Sequence, residues 1–259
     1  MKAEKTKASS KWWTRAWNPV TGCSPISEGC ENCWAARMAN RLKGRAGYPA
    51  DDPFKVTFHP ERLADPVHWR KGQDIFVEDM GDLFHGEVKT DWQLVVWHTM
   101  REYLRHRFYV LTKRAENMRQ FCRELRPSDL CGNLLPLENV WLGVTAENQA
   151  RFDERVPLLL QTPAAHRYVC LEPLLGPIEM ADSVRRLNWV IVGCESGPGR
   201  RLCRLEWIES IVGQCKAAGV PCFVKQVGLT KRRGEMYAGT RVSHDPAEWP
   251  EEIRVRGKP

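Results

Sequence analysis

The stretch Arg107-Phe108-Tyr109-Val110-Leu111-Thr112 decides the fold. Its four central residues are bulky and apolar, the run is too short for a helix, and neither alternate side is polar. A β-strand buried on both faces reads in this way. The signature recurs at residues 74–78 (DIFVE), 140–145 (VWLGVT), 167–172 (RYVCLE), 188–194 (NWVIVGC) and 220–225 (VPCFVK). Between the runs, residues 91–105, 115–124, 149–160 and 205–218 carry helical spacing, as do residues 32–42 nearer the N-terminus. Pro157 predicts a break or a late boundary in the third of these helices. Strand and helix in alternation imply parallel βαβ units, as in an α/β barrel or a doubly wound sheet. The expected architecture is α/β, a parallel (β/α) barrel, partial or closed. A single domain over residues 1–228 and a C-terminal appendage over 229–259 are expected, because no Pro/Gly-rich linker divides the chain.

Composition narrows the class. The chain has 259 residues, 42% of them hydrophobic, with eleven Trp and eight Phe, which is ample material for a core. No apolar run approaches the ~18 residues of a membrane span. The opening Met1-Lys2-Ala3-Glu4-Lys5 does not read as a secretory signal, so a cytoplasmic protein is expected. The net charge of +7 permits a polyanionic partner without requiring one; part of it sits at Lys2, Lys5, Lys7 and Lys11 and at Lys231, Arg232 and Arg233. The Trp-rich entry Trp12-Trp13…Trp17 reads as packing over the barrel.

Ten cysteines without a secretory signal argue against a disulfide framework. Seven are scattered: Cys122, Cys131, Cys170, Cys194, Cys203, Cys215 and Cys222. Cys23, Cys30 and Cys33 are clustered, in the order C-x6-C-x2-C, and Gly22 and Gly29 precede two of them where a tight loop needs positive φ or close backbone approach. Structural zinc takes four ligands, and no local Cys or His supplies the fourth. Three thiolates in one loop suit a [4Fe-4S] cluster with one iron left open. A zinc knuckle completed from a distance and three unrelated core thiols are the alternatives.

The strands also end alike. Glu78, Asp79 and Asp82, then Thr112, Lys113 and Arg114, Thr145, Glu147 and Asn148, Glu172, Cys194, Glu195 and Ser196, and Lys225 and Gln226 all follow apolar runs. In a parallel barrel such ends converge on one mouth, where active sites lie. The segment 193–200 (GCESGPGR) is a Gly-rich turn between strand and helix, neither a Rossmann fingerprint nor a Walker loop, able to bring backbone N–H groups to an anion or simply to turn. Arg200, Arg201 and Arg204 beyond it suit a phosphate or a solvated helix face. His85 reads as a loop histidine rather than a proton-transfer group, and no H-x-x-E-H or G-x-S-x-G supports hydrolase chemistry.

At the cysteine loop, Trp17-Asn18-Pro19…Thr21-Gly22-Cys23 and Gly29-Cys30…Cys33-Trp34-Ala35, the sequence resembles a phage-associated three-cysteine-motif family of unassigned function. The resemblance continues through Phe76-Val77…Asp82-Leu83-Phe84-His85, Leu111-Thr112-Lys113-Arg114, the 140–145 strand, residues 172–177 (EPLLGP), the Gly-rich turn and Phe223-Val224-Lys225-Gln226. That family in turn resembles radical S-adenosylmethionine (SAM) enzymes, whose usual spacing is C-x3-C-x2-C and whose last cysteine is more usually followed by Tyr than by the Trp34 found here. The resemblance implies an enzyme in which Cys23, Cys30 and Cys33 hold a [4Fe-4S] cluster and SAM is cleaved to a 5′-deoxyadenosyl radical. It implies that Thr112, Lys113, Thr145, Glu147, Glu172, Glu195 and Ser196 hold SAM or substrate, with Glu147 or Glu195 on ribose hydroxyls or the amino group and residues 193–197 against the adenine. It further implies an electron donor such as flavodoxin or ferredoxin, a nucleic-acid base or nucleotide as substrate, a bacterial host's cytoplasm as the setting, and no membrane. The reading from another class is a metal-stabilised nucleic-acid-binding or host-interaction protein without turnover.

Overall fold

A computed structural model describes residues 11–130, 135–229 and 241–259; Cys131 and the basic residues Lys2, Lys5, Lys7, Lys231, Arg232 and Arg233 lie outside the described residues. Seven parallel strands form one curled sheet in sequence order, which makes a half-barrel. They are β1 (Arg15–Trp17), β2 (Asp74–Val77), β3 (Arg107–Thr112), β4 (Val140–Thr145), β5 (His166–Leu171), β6 (Trp189–Val192) and β7 (Cys222–Val224). Helices α1 (Trp34–Leu42), α2 (Thr90–Glu102), α3 (Ala115–Glu124), α4 (Gln149–Gln161) and α5 (Leu205–Ala218) provide crossovers, and a short 3-10 helix at Ala181–Arg186 stands between β5 and β6. The fold is therefore mixed α/β with a partial barrel. Among the described residues, no helix is long and apolar enough to cross a membrane.

The sequence reading finds six of these strands and misses β1. That strand is three residues long and two of them are exposed, so no apolar run marks it. Pro157 does not break α4, which is a correction to the sequence reading. Pro157 and Asp153 are both exposed, so the carbonyl of Asp153, which loses its partner to the proline, faces water.

Period-two alternation sorts the strand residues into two cores. Val110, Val144, Val169, Val190 and Val224 point outward to the helices. Tyr109, Trp141, Tyr168, Trp189 and Phe223 point into the concave side, where Trp12 joins them. Trp12 is 1% exposed, with ring centroids 4.8 Å from Phe76, 5.4 Å from Tyr109 and 5.6 Å from Trp189. Trp12 thus fills the lumen rather than lying over it, with Trp13 packed against it, whereas Trp17 belongs to the outer core. The bottom of the barrel is solid aromatic packing, and the space for a ligand is left near the strand ends.

The open edge at β7 is covered. Residues 255–257 run antiparallel beside it, with the Val224 amide donating to the Val255 carbonyl (2.9 Å) and the Gly257 amide to the Cys222 carbonyl (2.8 Å). Trp249 and Ile253 of the same tail enter the main core. Covering the edge satisfies backbone groups that would otherwise template strand addition.

Trp12→Ala is expected to cost about 3–5 kcal/mol of folding stability, since it empties the lumen of its central ring. Urea unfolding checks this, and a loss within ~0.5 kcal/mol, as at an ordinary surface position, would show that the lumen is filled without it.

Candidate active site at the mouth of the half-barrel

Two strand-end loops build the site. The first leaves β1, turns through Gly22, carries the three cysteines and enters α1. Gly22 has φ +91°, and a Cβ there would lie 2.2 Å from the Lys55 carbonyl oxygen. At Gly29 a Cβ would lie 2.9 Å from the Glu147 carboxylate, so the loop closes on that side chain. Both glycines serve as their positions before cysteines suggest.

Cys23, Cys30 and Cys33 line one cleft of ≈ 290 Å³, together with Thr112, Lys113, Thr145, Glu172, Glu195 and Ser196. Ten of the sequence-predicted site residues are thus nine at the cleft and one beneath it. The exception is Glu147, which does not line it. Its carboxylate is wholly buried, accepts from two donors, Arg155 Nη1 (2.9 Å) and the Gly29 amide (3.2 Å), and so holds the cysteine loop from below.

Several cleft residues are also committed to protein partners. Glu195 accepts from Arg201 Nη2 (2.6 Å), Arg201 Nε (3.1 Å), the Arg201 amide (2.8 Å) and Asn32 Nδ2 (3.0 Å). Glu172 accepts from Lys225 Nζ at 2.7 and 3.0 Å and from Gln226 at 2.6 Å. Burial opposes the charge of Lys225, but Glu172 outweighs it and holds the ammonium pKa above its ordinary value. Thr112 donates to Asp82 Oδ1 (2.7 Å). In the Gly-rich turn a Cβ at Gly197 would lie 2.5 Å from the Arg37 guanidinium and one at Gly193 3.2 Å from the Gln226 amide, so both glycines allow close approach of those side chains. Arg201 is spent on Glu195, Glu31 and the Glu28 carbonyl, and Arg204 lies over the Trp207 ring.

Arg114 is the residue the sequence reading undervalues. It donates to Cys23 Sγ (3.3 Å), to Asp82 (2.9 Å) and to the Ser24 carbonyl (2.9 Å), fastening the first cysteine to the end of β3. His85 Nε2 is 2.7 Å from Ser24 Oγ, and its Nδ1 accepts from the Glu87 amide (3.1 Å). Burial, then the Arg114 charge, lowers the His85 pKa, so this histidine braces the loop as a neutral ring. The T-K-R triplet after a strand was the available signal for Arg114; its partner Asp82 comes from another strand end.

The thiols differ in environment. Burial and the Asp82 carboxylate push Cys23 up to about 11, against the pull of Arg114. Burial acts the same way on Cys30, but Lys113 and hydrogen bonds at Ile26 and Ser27 hold it below the ordinary thiol value. Cys33 is the residue immediately before α1. Among the described residues, no three His, Cys, Asp or Glu side chains are gathered closely enough to hold one metal ion.

Glu78 is a further cleft residue that periodicity does not reveal. It ends β2 with φ +61°, is 2% exposed, and uses Oε1 to accept from the Val20 amide (3.0 Å). Its Oε2 is buried without a partner among the described residues. Burial raises its pKa well above the ordinary carboxylate value, which favours its protonated form. Non-glycine residues in left-handed backbone concentrate at functional sites.

A family model described as "Protein of unknown function (DUF5131)" matches residues 7–250. No curated protein and no solved structure matches the chain.

Two outcomes follow from this geometry. Arg155→Met should cost about 3–5 kcal/mol by stranding the Glu147 charge, and adding Glu147→Gln should recover much of that loss; a double-variant loss equal to the sum of the two single losses would show no coupling. Glu78 has a raised folded-state pKa, so it weakens the fold as pH rises from its ordinary 4.5 towards that value. Glu78→Gln should therefore be more stable than the parent at neutral pH, with the difference vanishing below the ordinary value. Denaturation at a series of pH values reads this, and a pH-independent difference would contradict the assignment.

Proposed function

Given that the chain belongs to the DUF5131 family, we propose that it is an iron–sulfur enzyme of radical SAM type. The observation that carries the reading is that three loop cysteines and the C-terminal ends of parallel strands share one cleft. Active sites of parallel barrels occupy this end. The donor set fits a cluster: three half-buried thiols stand around a cleft, and a four-iron centre takes one thiolate on each of three irons. A single ion would need its ligands gathered at one point. Cys23, Cys30 and Cys33 would hold the cluster.

When bound, the cluster supplies a low-potential electron and one open iron, which is the chemistry needed to cleave SAM reductively. The protein's own residues do the rest. Arg114 donates to the Cys23 sulfur and is itself anchored on Asp82, a position from which it stabilises negative charge on that thiolate. Glu147 and Arg155 hold the Cys30 side of the loop through Gly29. Phe76 and Leu111, backed by Trp12, give the cleft an apolar floor that excludes water. Lys113, Thr145 and Ser196 line the cleft and are the side chains that would meet the cofactor. An electron carrier of flavodoxin or ferredoxin type would serve as donor. The alternative of a metal-stabilised binding protein gives no reason for the buried acid Glu78 and the cation Lys113 to face the same cleft.

Anaerobic reconstitution with iron and sulfide should give a brown protein with broad visible absorption, and Cys23→Ala, Cys30→Ala or Cys33→Ala should abolish it. Reduction in the presence of SAM should release 5′-deoxyadenosine, read by chromatography. Full iron content in Cys30→Ala would overturn the ligand assignment. A loaded cluster with neither SAM binding nor cleavage would overturn the radical reading.

A further inference from the structure

One side of the cleft is unlike the rest. Around the mouth the arginines are ion-paired: Arg114 with Asp82, Arg151 with Glu28, Arg155 with Glu147 and Arg201 with Glu195. Residues 34–50 break this pattern, carrying Arg37, Arg41, Lys43 and Arg45 and no acidic residue. Among the described residues none of these four has a carboxylate within ion-pair distance; Arg37 donates to the Ser196 and Pro198 carbonyls, and Arg45 to the Arg41 carbonyl. Their charges are therefore not neutralised by the protein.

The periodicity of α1 puts the first two on one stripe. Ala35, Ala39 and Leu42 pack inward. Trp34, Arg37 and Arg41, three and four residues apart, lie on one side of the helix, and the exposed Lys43 and Arg45 follow it in the chain. The stripe begins at the cleft, because Trp34 is one of its lining residues. Trp34 is also 48% exposed, which is unusual for so large an apolar ring next to a polar cleft. Inside the cleft, Lys113 has no carboxylate partner among the described residues. An exposed aromatic followed by a row of unneutralised cations is the combination that binds single-stranded nucleic acid, by stacking a base and tracking the backbone. The advance from Arg37 to Arg41 is about 6 Å, close to the ~6.8 Å of two stacked nucleotides.

We propose that the substrate reaching this cleft is a nucleotide within a single-stranded nucleic acid, its base stacked on Trp34 and its phosphates along Arg37, Arg41, Lys43 and Arg45. This rests on the reading of the cleft as an active site, but binding itself requires neither iron nor SAM. Lys113 would meet the phosphate nearest the cleft. A duplex fits poorly, because Trp34 can stack only on a base that is free of its neighbours.

The test is fluorescence anisotropy of the full chain, before and after cluster reconstitution, with labelled DNA and RNA strands of about a dozen nucleotides over a salt series. Five phosphate contacts, Lys113 included, predict that log affinity falls with log salt at a slope near −3.5. Arg41→Gln with Arg45→Gln should reduce the slope by about 1.4. Trp34→Ala should weaken binding roughly tenfold or more, and Trp34→Tyr should restore most of it. All three positions are solvent-exposed, and circular dichroism verifies that the fold is retained. Parent-like binding by Trp34→Ala, an unchanged slope in the double variant, or tighter binding of the duplex would each overturn the proposal. So would displacement by polyglutamate as effective as by unlabelled strand. Strand binding by a chain that takes up no cluster on reconstitution would leave this inference standing and remove only the radical SAM reading; a working cluster without strand binding would do the reverse.

Discussion

Glu147 lies wholly out of water beneath the cysteine loop, and the equally buried Arg155 makes that burial tolerable. A lone carboxylate there would cost several kcal/mol, so the two side chains stand or fall together. Arg155 belongs to α4 and also donates to the Thr145 carbonyl (2.8 Å), which ties the helix to the end of β4. The other oxygen of Glu147 accepts the Gly29 amide, which carries the tie into the loop. Asn148 and Arg151, from the start of α4, hold Glu28 one residue earlier. One strand–helix unit thus sets the height and tilt of the segment that presents Cys30.

The first cysteine is held in a comparable way from another side. Asp82, after β2, anchors Arg114, after β3, and Arg114 reaches Cys23 and Ser24. The third arm comes from the far side of the sheet, where Glu195 and Arg201 grip Asn32 and Glu31. Three strand ends therefore grasp one loop at three places. Much of the polarity at the mouth is spent on this grip, and the ligand is left with the residues that face inward between the arms. Such a division is expected where a site must be rigid, because a ligand shell holds its geometry only if its supports are themselves fixed.

The filled lumen explains why the site is shallow. Trp12, Tyr109, Trp141, Tyr168 and Trp189 occupy the interior up to the level of Phe76 and Leu111, so the cleft lies on the sheet's upper rim. A substrate must come over that rim, past Trp34 and α1 or past the Gly-rich turn. A half-barrel leaves this approach open, since among the described residues no strand joins β7 back to β1, and the C-terminal tail covers the β7 edge.

Local sequence determined a good deal. Strands buried on both faces write themselves as short apolar runs, so β2 to β7 and the parallel α/β class were legible, as were the helices, α3 and α5 to the residue. The glycines before Cys23 and Cys30 marked tight backbone, and the three cysteines and most strand-end residues were rightly placed at one mouth. Other features belong to no single stretch. β1 is too short and too exposed to show a pattern, Trp12 declares its place only when five strands curl around it, and Pro157 is tolerated because its side of α4 faces water. Whether a strand-end acid faces a ligand or a protein partner depends on which residue arrives from another element. Glu147 meets Arg155 from the next helix, Glu195 meets Arg201 across a turn, and Glu78 has no ion-pair partner among the described residues. Hydrophobic periodicity is a property of neighbours in the chain, whereas the charge state and task of a buried polar group are set by neighbours in space, and only the tertiary structure supplies those.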